Sequence, residues 1–185
     1  MIPSMPIRKA ARILRAGGVI AYPTEGVYGL GCLPGNLAAV MRVLEMKGRD
    51  VSQGLILIAA DPAQLAPWAL LPQRAELPSS AERPVTWLVP ARPDVPHWIR
   101  GAHERIAVRI TAHAVAAALC TAAGSALVST SANVSGRPPA RTGYVLRREF
   151  GPLVDYVVPG DCGPAQGPSE IRDLETGGIV RAALA

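Results

Sequence analysis

The chain has 185 residues, 49% hydrophobic, 4% aromatic and 18% charged, with 19 Lys plus Arg against 14 Asp plus Glu and a formal net charge of +5. This composition excludes a disordered chain and predicts one folded domain with a core of Ala, Val, Leu and Ile, long enough to bury roughly 70% of the unfolded surface. No apolar run approaches the ~20 residues that span a bilayer, and the N-terminal MIPSMPIRKAARI has no uninterrupted apolar signal segment, so a cytoplasmic protein is expected.

Ile7, Ala11 and Leu14 recur at helical spacing, and Gly17-Gly18 ends that helix. Val19 to Tyr22 reads as a buried strand closed by Pro23. Asn36 is suited to cap a helix from Leu37 to about Lys47, with Leu37, Val40 and Leu44 on one face. LILIA, residues 55–59, is a buried strand, and Asp61-Pro62 opens a short helix that dissolves into a Pro-rich stretch over 67–84, the best candidate for a mobile loop. VTWLV (85–89) and IAVRI (106–110) are strands, the Ala-rich run 113–123 is a helix closed by Gly124, and ALVST (126–130) is a further strand. A last helix covers about Thr142 to Phe150, and SEIRDLETGGIVRAAL reads as two short strands around Thr-Gly-Gly. The pattern is an α/β fold, a mixed twisted sheet with helices packed on it.

Cys32, Cys120 and Cys162 are odd in number and widely spaced, without a Cys-x-x-Cys pair, so free thiols are expected. His97, His103 and His113 show no metal-ligand spacing, and a protein-held metal is not expected. The basic balance points to an anionic partner, nucleic acid or polyphosphate, without separating them.

Four segments carry chemistry. ALVSTSANVSGRPPA, residues 126–140, lines up Ser129, Thr130, Ser131, Asn133 and Ser135 at the end of a strand. Such residues form turns, and they also form a neutral cradle for phosphate or carboxylate oxygens. AYPTEGVYGLGC, residues 21–32, leaves a strand through Pro23 and offers Thr24 and Glu25, with Tyr28 among glycines that let backbone approach a ligand. MKGRD places Lys47 and Arg49 two residues apart just past a helix, where an extended backbone points both side chains to one side, although cations at a helix end need no ligand. GPSEIRD repeats the strand-edge serine with Ser169.

In order and spacing, YPTEGVYGLGC, KGR, IAVRI, STSANVSG and PSEIRD resemble the YrdC-like family, in particular its short bacterial members, from about Ile13 to Arg181. The resemblance implies a single YrdC-like domain over 1–185 and an α/β fold around a deep basic concavity. It also implies an enzyme that converts L-threonine, bicarbonate or carbon dioxide, and ATP into L-threonylcarbamoyladenylate and pyrophosphate, the activated intermediate for modifying an adenosine of tRNA. By the same resemblance Lys47, Arg49, Thr130, Ser131, Asn133 and Arg181 belong to the ATP and phosphate site, and Thr24, Arg109, Ser129 and Ser169 to the threonine site. No covalent nucleophile is required; Mg2+ arrives with ATP, and the product passes to tRNA-modification proteins. Direct binding of tRNA or double-stranded RNA is left open. Two departures stand out: Leu33 follows Gly31-Cys32 where the family often has Asp, and SSAERPVTWLV lacks a Trp-Pro-Gly that often precedes this strand.

A non-catalytic binder of double-stranded RNA or tRNA would share the basic balance but has no need of the hydroxyl-rich segments, and the few aromatics offer little base stacking. A serine hydrolase using Ser131 or Ser135 lacks a Gly-x-Ser-x-Gly elbow and a well-placed histidine. A carbamoyl-transferring relative with this fold as one part of a much larger protein is disfavoured by the chain's length.

Overall fold

The computed structural model describes residues 4–72 and 77–182. Helix α1, Met5–Arg15, starts with a proline in its first turn and buries Ile7, Ala10, Ala11 and Leu14, while Arg8, Lys9, Arg12 and Arg15 stay in water. Gly17, at φ +84°, turns the chain out of the helix. Strand β1, Ile20–Pro23, follows and pairs antiparallel with β2, Tyr28–Gly31. The glycine-rich stretch after Pro23 is thus a buried strand. Its small residues are what the packing requires, since a Cβ on Gly31 would lie 2.4 Å from the Val128 carbonyl oxygen.

Helix α2, Leu37–Lys47, is capped as the sequence predicts: Asn36 Oδ1 accepts from the Ala39 amide at 3.0 Å, and Gly48 closes it at φ +56°. Val40, Val43 and Leu44 are buried, but Leu37 is 46% exposed. Strand β3, Ile56–Ala59, follows; the short helix expected at Asp61-Pro62 is a single 3-10 turn, Pro62–Gln64, capped by Asp61. The start of the Pro-rich stretch is tied to the next strand, with the Leu70 amide bonded to the Pro90 carbonyl at 2.9 Å; part of the predicted mobile loop, 73–76, lies outside the described residues. Then come β4 (Val85–Pro90), a one-turn helix α3 (His97–Arg100) not foreseen in the sequence, β5 (Arg105–Ile110) and α4 (Ala114–Ala123), closed by Gly124 at φ +71°. The remaining elements are β6 (Leu127–Val128), β7 (Thr130–Ser131), α5 (Gly143–Phe150), β8 (Tyr156–Val157), β9 (Glu170–Asp173) and β10 (Ile179–Arg181).

The strands form two mixed sheets instead of the single one expected, a four-stranded sheet ordered β7-β2-β1-β8 and a six-stranded sheet ordered β10-β9-β4-β5-β3-β6. ALVST, predicted as one strand, is divided between them. Leu127 and Val128 pair with β3, and Thr130 and Ser131 pair with β2. The chain therefore changes sheets at Ser129, whose amide still donates to the Ile56 carbonyl at 2.9 Å.

Side chains of β1 alternate between two cores, as the pleat demands. Ile20 and Tyr22 pack with Leu14, Leu119 and Ile58 under α1 and α4, while Val19 and Ala21 join Leu30, Val40, Leu57 and Phe150 in the larger cluster against α2 and α5. Each fully buried Leu, Ile or Phe contributes on the order of 1.5–3 kcal/mol, and the two cores clamp the strands whose ends build the site. Cys32 and Cys120 are buried and Cys162 is half-buried, all three free thiols.

Candidate functional site

The switch at Ser129 leaves the ends of the two sheets facing each other across a cleft. Thr24 and Glu25 enter it from the β1–β2 connection, Arg109 from β5, Ser129, Thr130 and Ser131 from the crossover, Ser169 from the start of β9, Arg181 from the end of β10, and Arg49 from beyond α2. Segments distant in sequence thus meet at one site, and Thr24, Arg49, Arg109, Ser129, Thr130, Ser131, Ser169 and Arg181, all singled out in the sequence, line it together.

Lys47 and Asn133 do not line the cleft; they stand behind it. Lys47 is the last residue of α2, and left-handed Gly48 separates it from Arg49, so the extended backbone expected across Lys-Gly-Arg is absent. The Lys47 ammonium donates to the Ser131 carbonyl at 2.5 Å, the Asn133 carbonyl at 2.8 Å and Asn133 Oδ1 at 3.2 Å. Ser131 Oγ donates to the same Oδ1 at 2.6 Å.

The cleft is cationic. Arg49, Arg109 and Arg181 converge on it, opposed by Glu25. Arg49 Nη2 donates to the Gly54 carbonyl at 2.9 Å and Arg181 Nη2 to the Ser169 carbonyl at 2.8 Å. The Nε atoms of Arg49 and Arg109 are buried and make no hydrogen bond among the described residues. Burial lowers the pKa of Arg49, and burial followed by the Arg49 and Arg109 charges lowers that of Arg181. Lys47 is brought down to about 8, by burial first and by the Arg49 charge second. Buried donors without acceptors and cations crowded into one cleft are an arrangement that an anion relieves.

Glu25 was quoted in the sequence but given no role. It is 1% exposed, accepts from Thr111 Oγ1 at 2.7 Å and from the Ala112 amide at 3.1 Å, and stands 3.3 Å from Arg109. Burial pushes its pKa up, but the Arg109 charge and these hydrogen bonds outweigh burial and hold it below the ordinary value. A carboxylate in a strand-to-loop turn of small residues was the available signal. Thr86 was also missed: fully buried, its hydroxyl lies 2.6 Å from Ser169 Oγ.

Arg49, Ile56 and Arg181 also line a second, more apolar cavity of about 590 Å³, walled by Leu55, Leu88, Ile106, Ile171 and Val180, with Gln53, His103 and Arg105 among its polar groups. That volume falls within the range of small-molecule sites, roughly 300–1,000 Å³. Arg49 and Arg181 thus stand between a small polar cleft and a larger apolar one.

An α/β frame of two mixed sheets that gathers hydroxyls and guanidinium groups at a sheet switch defines a protein built to hold a small anionic ligand. Residues 12–183 match the Sua5/YciO/YrdC family model, described as "Telomere recombination", and the chain belongs to this family. It is 57% identical over 183 residues to the threonylcarbamoyl-AMP synthase of Nitrosococcus oceani, covering 97% of this chain and 98% of the relative. It is 51% identical to that of Alkalilimnicola ehrlichii, covering 97% of each. Among solved structures, P. abyssi Sua5 complexed with L-threonine matches with a TM-score of 0.79 at 31% identity, over 94% of this chain and 52% of that one, so the chain spans about half the length of that protein. E. coli YciO shares the fold, with a TM-score of 0.78 at 22% identity over 97% of this chain and 89% of its own.

Proposed function

We propose that this chain is a threonylcarbamoyl-AMP synthase, working as one YrdC-like domain in the cytoplasm. The observation that carries the reading is the convergence of Arg49, Arg109 and Arg181 with hydroxyls in one cleft, adjacent to a larger, more apolar cavity that shares Arg49, Ile56 and Arg181 as its wall. Near-full-length similarity to curated synthases, and similarity to about half of Sua5 with L-threonine, supports it over the RNA-binding alternative. The cleft's cations are also gathered with hydroxyls, which binding to an RNA backbone does not need.

In this reading the polar cleft takes L-threonine. Arg109 meets its carboxylate, and Thr24, Ser129 and Ser169 supply hydroxyls around the amino group and side chain. The apolar cavity takes the adenine and ribose, and Arg49 and Arg181 meet the phosphates, with Thr130 and Ser131 at the rim. The amine of threonine takes up carbon dioxide to give a carbamate, whose oxygen attacks the α-phosphorus of ATP and expels pyrophosphate. Negative charge gathers on phosphate oxygens during that step, where preorganised guanidinium groups act most strongly. Position and charge suffice, and no side chain forms a covalent intermediate. Mg2+ would belong to the nucleotide: Glu25, the cleft's carboxylate, is already engaged by Arg109, Thr111 and Ala112. The adenylate would then pass to tRNA-modifying proteins.

The test is incubation of purified protein with ATP, Mg2+ and bicarbonate, with and without each amino acid, measuring pyrophosphate and the adenylate product. Pyrophosphate is expected only when bicarbonate and threonine, or weakly a close analogue such as serine, are both present. Release of ADP and phosphate, or ATP cleavage independent of amino acid, would refute the reading.

A further inference from the structure

A buried hydroxyl lies beneath the cleft without reaching it. Thr86, on β4, is fully buried and does not line the cleft, whereas Ser169, 4% exposed and just before β9, does. Their side-chain oxygens are 2.6 Å apart, and among the described residues neither oxygen has another hydrogen-bond partner. Backbone bonds hold the pair from both strands. β4 and β9 run parallel with Val85 on Glu170 and Thr86 on Ile171, the Glu170 amide donates to the Pro84 carbonyl at 3.1 Å, and the Ser169 carbonyl is engaged by Arg181. On the other side of β4 lies β5, which carries Arg109. Thr86 therefore sits on the strand between two groups that face the cleft.

A hydroxyl has one proton to donate and two lone pairs to offer, so only one member of the pair can donate to the other. If Ser169 donated, the Thr86 proton would be left fully buried with no acceptor among the described residues, and an unmade buried donor costs its whole desolvation. If Thr86 donates, its proton is satisfied and that of Ser169 is free on the side that faces the cleft. We infer that Thr86 is a positioning residue that fixes Ser169 as a hydrogen-bond donor, so that Ser169 presents its proton to an oxygen of the ligand and not a lone pair to an ammonium group. This rests on the proposed function for naming the ligand as L-threonine, while the direction of the bond follows from burial and geometry. The guanidinium of Arg109 is also a donor without acceptor capacity, so the two groups that flank Thr86 both call for oxygen.

The experiment compares Thr86→Val, which exchanges the hydroxyl for a methyl of similar size, with Thr86→Ser, which keeps the hydroxyl and removes the methyl. A residue that merely packs tolerates valine better than serine; a residue that orients Ser169 does the reverse. Binding of L-threonine and of ATP is measured by isothermal titration, and KM and kcat by pyrophosphate release. Thr86→Val is expected to weaken threonine binding and raise its KM by about tenfold, the size of one hydrogen bond, while ATP affinity changes by less than about twofold. Thr86→Ser should restore threonine binding to within about threefold of the wild type, and adding Thr86→Val to Ser169→Ala should cost no more than about twofold further, because both act through one proton. If Thr86→Val fails to fold, Thr86→Ala set against Thr86→Ser isolates the same oxygen. The inference is overturned if valine binds threonine as the wild type does, if serine gives no rescue, if threonine and ATP suffer equally, or if the losses multiply in the double variant. The direction of the bond is read separately, by NMR of slowly exchanging side-chain hydroxyl protons in the unliganded protein. A slow proton on Thr86 that becomes fast in Ser169→Ala is expected; a slow proton on Ser169, or none on Thr86, overturns the inference. That measurement needs neither substrate nor turnover, so failure of the wild type to bind threonine or make the adenylate would strike the proposed function instead.

Discussion

Arg109 Nη2 lies 3.3 Å from Glu25 Oε2, and both side chains are buried, so this ion pair joins β5 of the six-stranded sheet to the β1–β2 connection of the four-stranded sheet beneath the cleft. It sets the separation of the two sheet ends and fixes the guanidinium that the proposed mechanism assigns to threonine.

Removing one partner of a buried pair is far costlier than removing both, because the remaining charge is stranded. Glu25→Gln should therefore destabilise the fold by about 3–5 kcal/mol, and Glu25→Gln with Arg109→Gln by clearly less. The depressed pKa of Glu25 means that its stabilisation is complete above the unfolded value, about 4.3, and is lost as pH falls through the lower folded value. The wild type should accordingly lose more stability on acidification than Glu25→Gln does, as read by urea denaturation at stepwise lower pH. Parallel acid limbs would contradict the role given to the pair.

Lys47 yields two pH effects of opposite sign. Its pKa is about 8 in the folded chain, against an ordinary value of roughly 10.4. Between these values the unfolded chain retains a proton that the folded one has released, so the contribution of Lys47 to stability rises with pH across this window. Deprotonation meanwhile takes away one of the donors that hold the 131–137 turn, so kcat should fall with an apparent pKa near 8. The stability of the wild type relative to Lys47→Met, which cancels the thiols and tyrosines common to both, should improve over the range in which activity declines. A kcat that is flat through this window would be inconsistent with the ammonium's role.

Much of this frame is legible in the chain itself. The Asn36 cap, the stop at Gly17, the α2 helix and the paired terminal strands follow from local rules, and Ser129, Ser131 and Ser169, though not Ser135, line one cleft. What the sequence hides is decided by partners far along the chain. Tyr-Gly-Leu-Gly reads as a turn because glycines weaken any strand signal, yet it is held on both sides by β1 and β7. ALVST is apolar throughout its first half whether it serves one sheet or two, so the break at Ser129 leaves no local trace. Lys-Gly-Arg announces two cations; only the carbonyls of residues 131 and 133, more than eighty positions away, reveal that one of them is already engaged.

Arg49 is the complementary case. Its Nη2 bond to the Gly54 carbonyl is modest, while its Nε is buried without a partner among the described residues, on the wall shared by the two cavities. Arg49→Ala should leave the melting temperature nearly unchanged and weaken ATP by about 1.5–3 kcal/mol, roughly 10- to 150-fold, with a smaller effect on AMP. Arg109→Ala should instead raise the KM for threonine at nearly constant ATP affinity. Isothermal titration with ATP and AMP, together with threonine saturation kinetics, distinguishes the two. Equal effects of both substitutions on both ligands would dissolve the assignment of separate compartments.

Gly26 offers a test that touches no charge. It lines the cleft, and a Cβ placed there would lie 2.6 Å from the Gly167 carbonyl oxygen and 2.8 Å from that of Ala165, backbone atoms that cannot swing aside as a side chain would. These carbonyls belong to the strap that runs from Gly163 to Ser169, tied to the β1–β2 connection by the Gly163 amide on the Thr24 carbonyl and the Ala165 amide on the Glu25 carbonyl, each at 2.9 Å. An added methyl must push the strap outward and carry Ser169 away from Thr24. The cost in stability should be about 1–3 kcal/mol, as for other overpacked sites. The functional cost should be uneven, because the strap borders the cleft proposed for threonine and is absent from the walls of the apolar cavity. Gly26→Ala is therefore expected to raise the KM for threonine at least tenfold while ATP affinity changes by less than about threefold, since a displaced positioning group costs rate and binding only where it acts. If threonine kinetics survive the substitution while ATP binding is lost, the two compartments have been assigned the wrong way round.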